Sequence, residues 1–248
     1  MSGKICYLGD DHLQGAAAYL AGVMLHYGLP FYHVRSGDPP PHDFASRSYA
    51  AYVVSDYPAA QFGNEAMTHV AARVEQGAGL VMLGGWESFH GRLGEYHHSP
   101  LAAVLPVEMQ SCDDRRNCAQ PCLVEKLADH AILAGLPWDE PPTIGGYNAI
   151  TAKPQAETLL AAARFSVRLT DGEYRFERTG TAPLLIVGRH GAGRTAALAT
   201  DVAPHWVGGF VDWGDKRITQ EVGGGMIEVG NWYVRFFRNL VAWTAGGK

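Results

Sequence analysis

The chain has 248 residues, of which 47% are hydrophobic and 18% charged, and its formal net charge is −5. This length fits one large domain with a sizeable core. The sequence contains no basic block and no apolar run of about 18 residues, so we expect neither nucleic acid nor a membrane as a partner. The start of the chain lacks a signal-peptide pattern, which predicts a cytoplasmic protein. Four cysteines are too few for a disulfide scaffold. We expect no cofactor, and the sequence leaves open whether the chain forms a homo-oligomer.

The first half of the chain alternates apolar runs with segments of helical periodicity. The run from Gly79 to Leu83 is unbroken and is followed by Gly84 and Gly85, which is typical of a strand buried on both faces of a parallel sheet. Gly28 is suited to end the first helix. The pattern predicts strands over residues 4–9, 31–35, 49–55 and 79–84, and helices over residues 14–27 and 64–76. Such alternation indicates a doubly wound parallel sheet.

The second half predicts strands more often than helices. Asp171-Gly172 and Gly191-Ala192-Gly193 are hairpin-turn signals between apolar runs. We predict strands over 158–163, 166–169, 174–178, 183–188 and 195–200, an extended segment over 106–109, short helices over 101–104 and 129–136, polar loops over 111–121 and 141–148, and a closing helix over 228–245. The sheet therefore gains a mixed or antiparallel extension, and we find no linker, which predicts a single domain over residues 1–248.

Polar side chains follow several of the predicted parallel strands. Asp10 follows the first strand, Asp56 the third, and Asp201 with His205 the strand that ends at Thr200. Because open α/β sheets bind ligands beyond the carboxyl ends of their strands, these groups are expected to converge on one edge. They could serve there as acid, base or metal ligands. The alternative is that several of them only cap helices or hydrogen-bond within loops. The same edge is expected to carry four further polar side chains, those of His12, Glu87, Ser88 and His90.

Three cysteines in the polar segment raise the question of a metal site. Cys118 and Cys122 have three residues between them, whereas Cys112 and Cys118 have five, and zinc ligand pairs are usually two to four residues apart. The fourth ligand would come from His97, His98 or His130. A polar surface loop with free thiols is the alternative reading, and we assign no metal ligands.

Four motifs follow one another along the chain: Leu83-Gly84-Gly85-Trp86, Leu105-Pro106-Val107-Glu108, Gly145-Gly146-Tyr147-Asn148 and the segment from Thr200 to Trp206. Their order resembles that in a family of bacterial glutamine amidotransferase-like proteins. That family is similar in fold to class I glutamine amidotransferases and to trehalose-utilisation-type proteins. The resemblance implies a flavodoxin-like three-layer α/β sandwich with a mostly parallel central sheet, and a single class I glutamine amidotransferase-like domain.

The resemblance also implies what this chain lacks. Glutamine-hydrolysing relatives carry a nucleophilic cysteine in a Gly-x-Cys-x-Gly turn and a late His-x-Glu pair. None of the four cysteines here has that context, and Val207 stands two residues after His205. We therefore predict no cysteine-dependent glutaminase activity.

Three functions remain open at this stage. The first is a pseudoenzyme that binds a small polar ligand through Asp10, Asp56, Trp86, Ser88, Tyr147, Asn148, Trp206 and Trp213. The second is a hydrolase that uses Asp201 and His205 as its catalytic acid and base, with or without a metal. The third is an assembly protein with a relict cleft.

Overall fold

The computed structural model describes residues 3–247, and its strands lie between Ile5 and Gly230. Thirteen strands occur in this part of the chain. They are β1 (Ile5–Gly9), β2 (Phe31–Val34), β3 (Ala51–Ser55), β4 (Gly79–Leu83), β5 (Val107–Glu108), β6 (Arg115–Lys126), β7 (Thr143–Asn148), β8 (Thr151–Ala152), β9 (Glu157–Thr170), β10 (Glu173–His190), β11 (Gly193–Leu198), β12 (Arg217–Val222) and β13 (Gly225–Gly230).

Nine of these strands form one sheet in the order β2-β1-β3-β4-β11-β10-β9-β6-β7. The neighbours from β2 to β11 are parallel, and the neighbours from β11 to β7 are antiparallel. The predicted mixed α/β sheet with an antiparallel second half is therefore confirmed. Two short ladders, β5–β8 and β12–β13, lie outside the sheet.

Helices cover both faces of the parallel half. They are α1 (Ala17–His26), α2 (Ala59–Phe62), α3 (Asn64–Glu75), α4 (Pro100–Val104), α5 (Pro204–Val211) and α6 (Asn231–Thr244). Helix α1 packs beside α6, and α3 packs beside α4. The β1-α1-β2 and β3-α3-β4 crossovers run in opposite directions along the sheet, so their right-handed sense puts α1 and α3 on opposite faces. None of the helices among residues 3–247 is long and apolar enough to cross a membrane.

Every residue of β1, β3 and β4 is buried, which agrees with their uninterrupted apolar sequences. Strand β4 lies between β3 and β11, with Leu80 opposite Tyr52 on one side and Thr195 on the other. The parallel half therefore holds its strand ends in fixed register, and the side chains that follow those ends are held with them.

Two predicted loops are strands, which corrects the sequence interpretation. Residues 111–121 lie largely in β6, and residues 141–148 lie largely in β7 at the edge of the sheet. Polar side chains fit there because most of the first half of β6 is exposed on the surface. The pairing between β6 and β7 is interrupted from Asn117 to Cys122, which accommodates Pro121, a residue without a ladder donor.

The closing helix begins later than predicted. It starts at Asn231, because residues 225–230 form β13, which pairs with β12 around the turn Gly223-Gly224. Both turn glycines have positive φ, at 58° and 85°. The predicted helix over 129–136 is reduced to a single 3₁₀ turn at Ala131–Leu133. The hairpin turns at Asp171-Gly172 and at 191–193 are confirmed, and each of the long strands β9 and β10 joins two predicted segments.

Candidate functional site

Three aspartates meet at the carboxyl edge of the parallel strands. Asp10 follows β1, Asp56 follows β3, and Asp201 comes shortly after β11. One carboxylate oxygen from each lies within 4.8 Å of the other two. Asp10 and Asp201 are each 3% exposed, and Asp56 is partly buried. The convergence expected from strand order therefore occurs in the structure for these three side chains.

The backbone around the cluster depends on a few special conformations. Asp10 and Asp56 have φ values of 48° and 43°, in the left-handed region that aspartate tolerates better than most residues. Gly9 has a φ of 122°, and a Cβ there would come within 1.5 Å of the Ser55 carbonyl oxygen. A Cβ on Gly85 would come within 2.0 Å of Asp56 Oδ1. These glycines let β1 and the loop after β4 approach close enough to bring the carboxylates together.

Each carboxylate is anchored to the protein through one of its oxygens. Asp10 Oδ2 accepts a hydrogen bond from the Tyr7 hydroxyl. Asp56 Oδ1 accepts from the Glu87 amide at 2.8 Å. Asp201 Oδ1 accepts from the amides of residues 202 and 203 at 2.6 and 3.0 Å, and its Oδ2 lies 3.8 Å from His205 Nδ1. The anchored oxygens fix the carboxylates in place, whereas Oδ2 of Asp56 accepts no hydrogen bond from the described residues.

The electrostatics of the cluster disfavour three negative charges. Burial and, to a smaller extent, the charge of Asp201 together raise the pKa of Asp10 to about 7. Burial likewise raises the pKa of Asp201 to about 6. The pKa of Asp56 lies well above its ordinary value because of burial and of the charges of Asp201 and Asp10. Near neutral pH the cluster therefore keeps protons, unless a positive charge replaces them.

The loop after β4 is positioned by polar side chains that the sequence analysis assigned to ligand binding. Ser88 Oγ accepts a hydrogen bond from the Asp56 amide at 3.0 Å. The Asn148 side chain spans Gly85, accepting from its amide at 2.9 Å and donating to its carbonyl at 3.1 Å. Both side chains are fully buried. In this structure they hold the loop and the Asp56 backbone next to the cluster.

Asp114 completes this framework and was missed by the sequence analysis. It is fully buried and accepts hydrogen bonds from the amides of His90 and Gly91 at 3.1 and 3.0 Å and from Asn148 Nδ2 at 2.8 Å. Its position in a polar run, beside the exposed Asp113, gives no periodic signal that would distinguish it.

The four aromatic residues assigned to ligand binding occupy different environments. Trp86 is 48% exposed, and the Arg115 guanidinium lies 4.4 Å from the centroid of its ring. Tyr147, Trp206 and Trp213 are 3%, 4% and 7% exposed. Trp86 is thus the one member of this set that presents a large flat surface to solvent.

The buried tryptophans have structural partners. Trp206 Nε1 donates to Asn117 Oδ1 at 2.8 Å. Trp213 packs against Trp138 and Phe210, and its Nε1 donates to the Glu140 carbonyl at 2.8 Å. Satisfied indole donors of this kind are typical of core tryptophans.

None of the cysteines in the described part of the chain belongs to a group of three possible metal ligands. Within residues 3–247, Asp10, Asp56 and Asp201 form the only group of three or more His, Cys, Asp or Glu side chains close enough to share an ion. Cys118 and Cys122 have their sulfurs 3.0 Å apart on β6, and Cys112 is exposed elsewhere on the segment. Burial raises the pKa of Cys122 to about 12, so its thiol stays protonated.

A family described as "Putative glutamine amidotransferase" matches residues 53–222, which is more than half of the chain. The chain belongs to this family. No curated protein matches it. A cytoplasmic protein from Salmonella typhimurium LT2 has 25% sequence identity and a TM-score of 0.74 over 97% of this chain and 99% of its own. A second Salmonella typhimurium cytoplasmic protein has 23% identity and a TM-score of 0.73 over 97% and 98%.

In this glutamine amidotransferase-like chain, no thiol of residues 3–247 belongs to the group of side chains that meets at the edge. Cys6 lies inside β1, where burial raises its pKa to about 12. His205, in the late region where a catalytic histidine would be sought, is paired with Asp201. The polar centre of the edge is made of carboxylates instead.

Proposed function

We propose that this glutamine amidotransferase-like domain is a binding module without the Cys-His-Glu triad, and that it binds a small, positively charged polar ligand between Asp10, Asp56 and Asp201. The observation that supports it is the proximity of three carboxylates, within 4.8 Å, at a strand edge. A divalent metal ion of the Mg²⁺, Mn²⁺ or Ca²⁺ class fits this chemistry best, because such ions prefer oxygen ligands. The domain spans residues 1–248 and acts in the cytoplasm in this proposal.

Charge favours a cation over a neutral ligand. The raised pKa values mean that ionising all three aspartates is costly in the empty cluster. A divalent cation removes that cost by compensating two of the negative charges and displacing the retained protons. Neutral sugars and amides supply no such compensation.

Cation binding is expected to stabilise the wild-type protein in a thermal-shift titration with MgCl₂, MnCl₂ or CaCl₂ at pH 8. An ion present at 100 times its dissociation constant stabilises the folded state by about 2.7 kcal/mol. Asp56→Asn should remove the shift, because asparagine keeps the acceptor for the Glu87 amide but loses the charge.

Asp139→Asn, at an exposed position, is the matched control and should retain the full shift. A shift with spermidine alone would identify an organic cation as the ligand. The absence of a shift with every cation, or an equal shift in Asp56→Asn, would contradict the proposal.

Glutamine hydrolysis through a cysteine is expected to be absent. Wild-type protein incubated with glutamine should release no more ammonia than a heat-denatured sample, because Cys6 and Cys122 have pKa values raised to about 12 and are poor nucleophiles. Ammonia release that disappears in a single Cys→Ala variant would overturn this prediction.

A hydrolase is the second candidate, on the strength of one contact. His205 Nδ1 lies 3.8 Å from Asp201 Oδ2, and the His205 side chain is 77% exposed, so a substrate can reach it. An imidazole oriented by a carboxylate can act as a general base. Hydrolysis of ester or phosphoester probes that is lost in His205→Ala, in protein that still binds the cation, would favour this function over simple binding.

A further inference from the structure

A long two-stranded arm extends beyond the central sheet. Strand β9 pairs with β6 only through residues 160–163, and β10 pairs with β11 only through residues 185–190. Between these limits, residues 164–180 pair only with each other in the described part of the chain. Two-stranded ribbons are marginally stable in water on their own. We therefore expect another surface to pack against this arm and stabilise it.

One face of the arm is apolar. The register places Leu169 opposite Tyr174 and Val167 opposite Phe176. Phe165 continues the same face toward the sheet, where it lies opposite Arg178. Leu169 is 63% exposed, and Tyr174 and Phe176 are each 70% exposed. The other face carries charged and polar pairs, with Arg168 opposite Arg175 and Ser166 opposite Glu177. A continuous apolar stripe of this kind marks an interaction surface.

We propose that the arm is a dimerisation element, in which its apolar face packs against the same face of the arm of a second copy of this chain about a two-fold axis. Such an isologous contact needs only one self-complementary patch. Packing face to face would cover the aromatic rings of both copies and leave the charged pairs on the two outer faces in water.

The exposed area and the low number of charges on the apolar face favour a second copy as the occupant. Tyr174, Phe176 and Leu169 together expose roughly 400 Å² per copy, if a large side chain presents about 200 Å² when fully open. That is about half of the ~800 Å² that each partner contributes to a standard interface. The half-buried Phe165 and Val167 and the edges of the arm add further area.

The charges of the arm also differ from those of the rest of the chain. Residues 164–178 carry four arginines and three acidic residues, a net charge of +1, so the remainder of the chain has a net charge of −6. Packing the two apolar faces together brings one charged side chain per copy to the contact, Arg178, and its ion pair with Glu125 at 2.6 Å compensates that charge. The negative net charge of the remainder of the chain repels anionic lipid surfaces, which disfavours a membrane as the occupant.

Sedimentation velocity over a concentration series tests the proposal. Wild-type protein is expected to sediment as a dimer of two 26.8 kDa chains that dissociates on dilution. Tyr174→Asp combined with Phe176→Asp should raise the dimer dissociation constant at least about 100-fold, since buried charges in an interface core cost several kcal/mol. Both side chains are exposed, so the variant should keep the circular dichroism spectrum of the wild type. Its melting curve should match that of wild-type protein diluted until it is monomeric.

Arg175→Asp is the matched control, because it puts the same charge on the opposite face of the same strand, and it should remain dimeric. A monomeric wild type at every concentration overturns the proposal, as does an unchanged dimer in the double variant. Cosedimentation of monomeric wild type with phosphatidylcholine or phosphatidylserine vesicles would assign the face to a lipid surface and would also overturn it.

Discussion

Replacing Asp114 by alanine is expected to lower the free energy of unfolding by about 3–5 kcal/mol, because a buried hydrogen-bonding group left without a partner costs about 1–3 kcal/mol. Three donors lose their acceptor at once: the amides of His90 and Gly91 and the side-chain amide of Asn148. Urea denaturation followed by circular dichroism measures the change.

The neighbouring Asp113 supplies a matched control. It is exposed and pairs with Arg115 at 2.7 Å, so Asp113→Ala should cost no more than about 1 kcal/mol. Equal losses in the two variants would show that Asp114 does not organise the loop.

The Asp114 substitution should also weaken cation binding. Asn148 holds Gly85, and the next turn of the same loop supplies the Glu87 amide that fixes Asp56 Oδ1. Asp114→Asn, which keeps an acceptor oxygen, should lose less of both stability and binding than Asp114→Ala. This ordering separates a positioning residue from a ligand, since Asp114 does not itself belong to the carboxylate cluster.

In the absence of divalent cations, the stability of the wild-type protein is expected to fall as the pH rises from about 5 to 8. The pKa of Asp10 is raised from 3.8 to about 7, so the folded state binds more protons than the unfolded state across this range. Stability contributed by a proton held in the folded state is lost as the pH passes the folded pKa. Because one pKa unit corresponds to 1.36 kcal/mol, the loss is on the order of 3 kcal/mol for Asp10.

Asp10→Asn isolates this contribution. Asparagine retains an oxygen that can accept from the Tyr7 hydroxyl but cannot ionise. The variant should match the wild type near pH 5 and be more stable than the wild type at pH 8, as measured by urea unfolding in a chelator. Asp139→Asn should follow the wild-type curve, and an Asp10→Asn curve parallel to the wild type would show that this carboxyl does not titrate in that range.

The parallel half of the fold could be predicted because its strands carry a strong signal. β1, β3 and β4 are apolar and buried on both faces, and each parallel strand that ends in an aspartate delivers it to the same edge. Asp10, Asp56 and Asp201 were therefore expected together from strand order alone. Their mutual distance and anchoring hydrogen bonds depend on loop conformations that no periodicity reports.

The last two strands of the antiparallel half, β6 and β7, could not be predicted in this way. β6 has polar residues on its exposed surface, so its sequence reads as a loop. The same limit applies to Trp213 and Tyr147, whose residue type suggests ligand contact while their burial serves the core. The β12–β13 hairpin did leave a signal in the sequence, because the pair Gly223-Gly224 separates two short segments and such a pair is typical of a hairpin turn.

The place of β11 in the sheet has a consequence for synthesis on the ribosome. Leu80 of β4 pairs with Thr195 of β11, so this edge of β4 has no hydrogen-bond partner until β11 has been synthesised. During translation, the four amino-terminal strands are therefore exposed with an apolar, unpaired edge until most of the chain has emerged. Closure of so distant a pairing is slow, and neighbouring nascent chains compete for the same edge. The yield of native protein should consequently fall as expression is driven faster, and rise when translation is slowed or the temperature of expression is lowered.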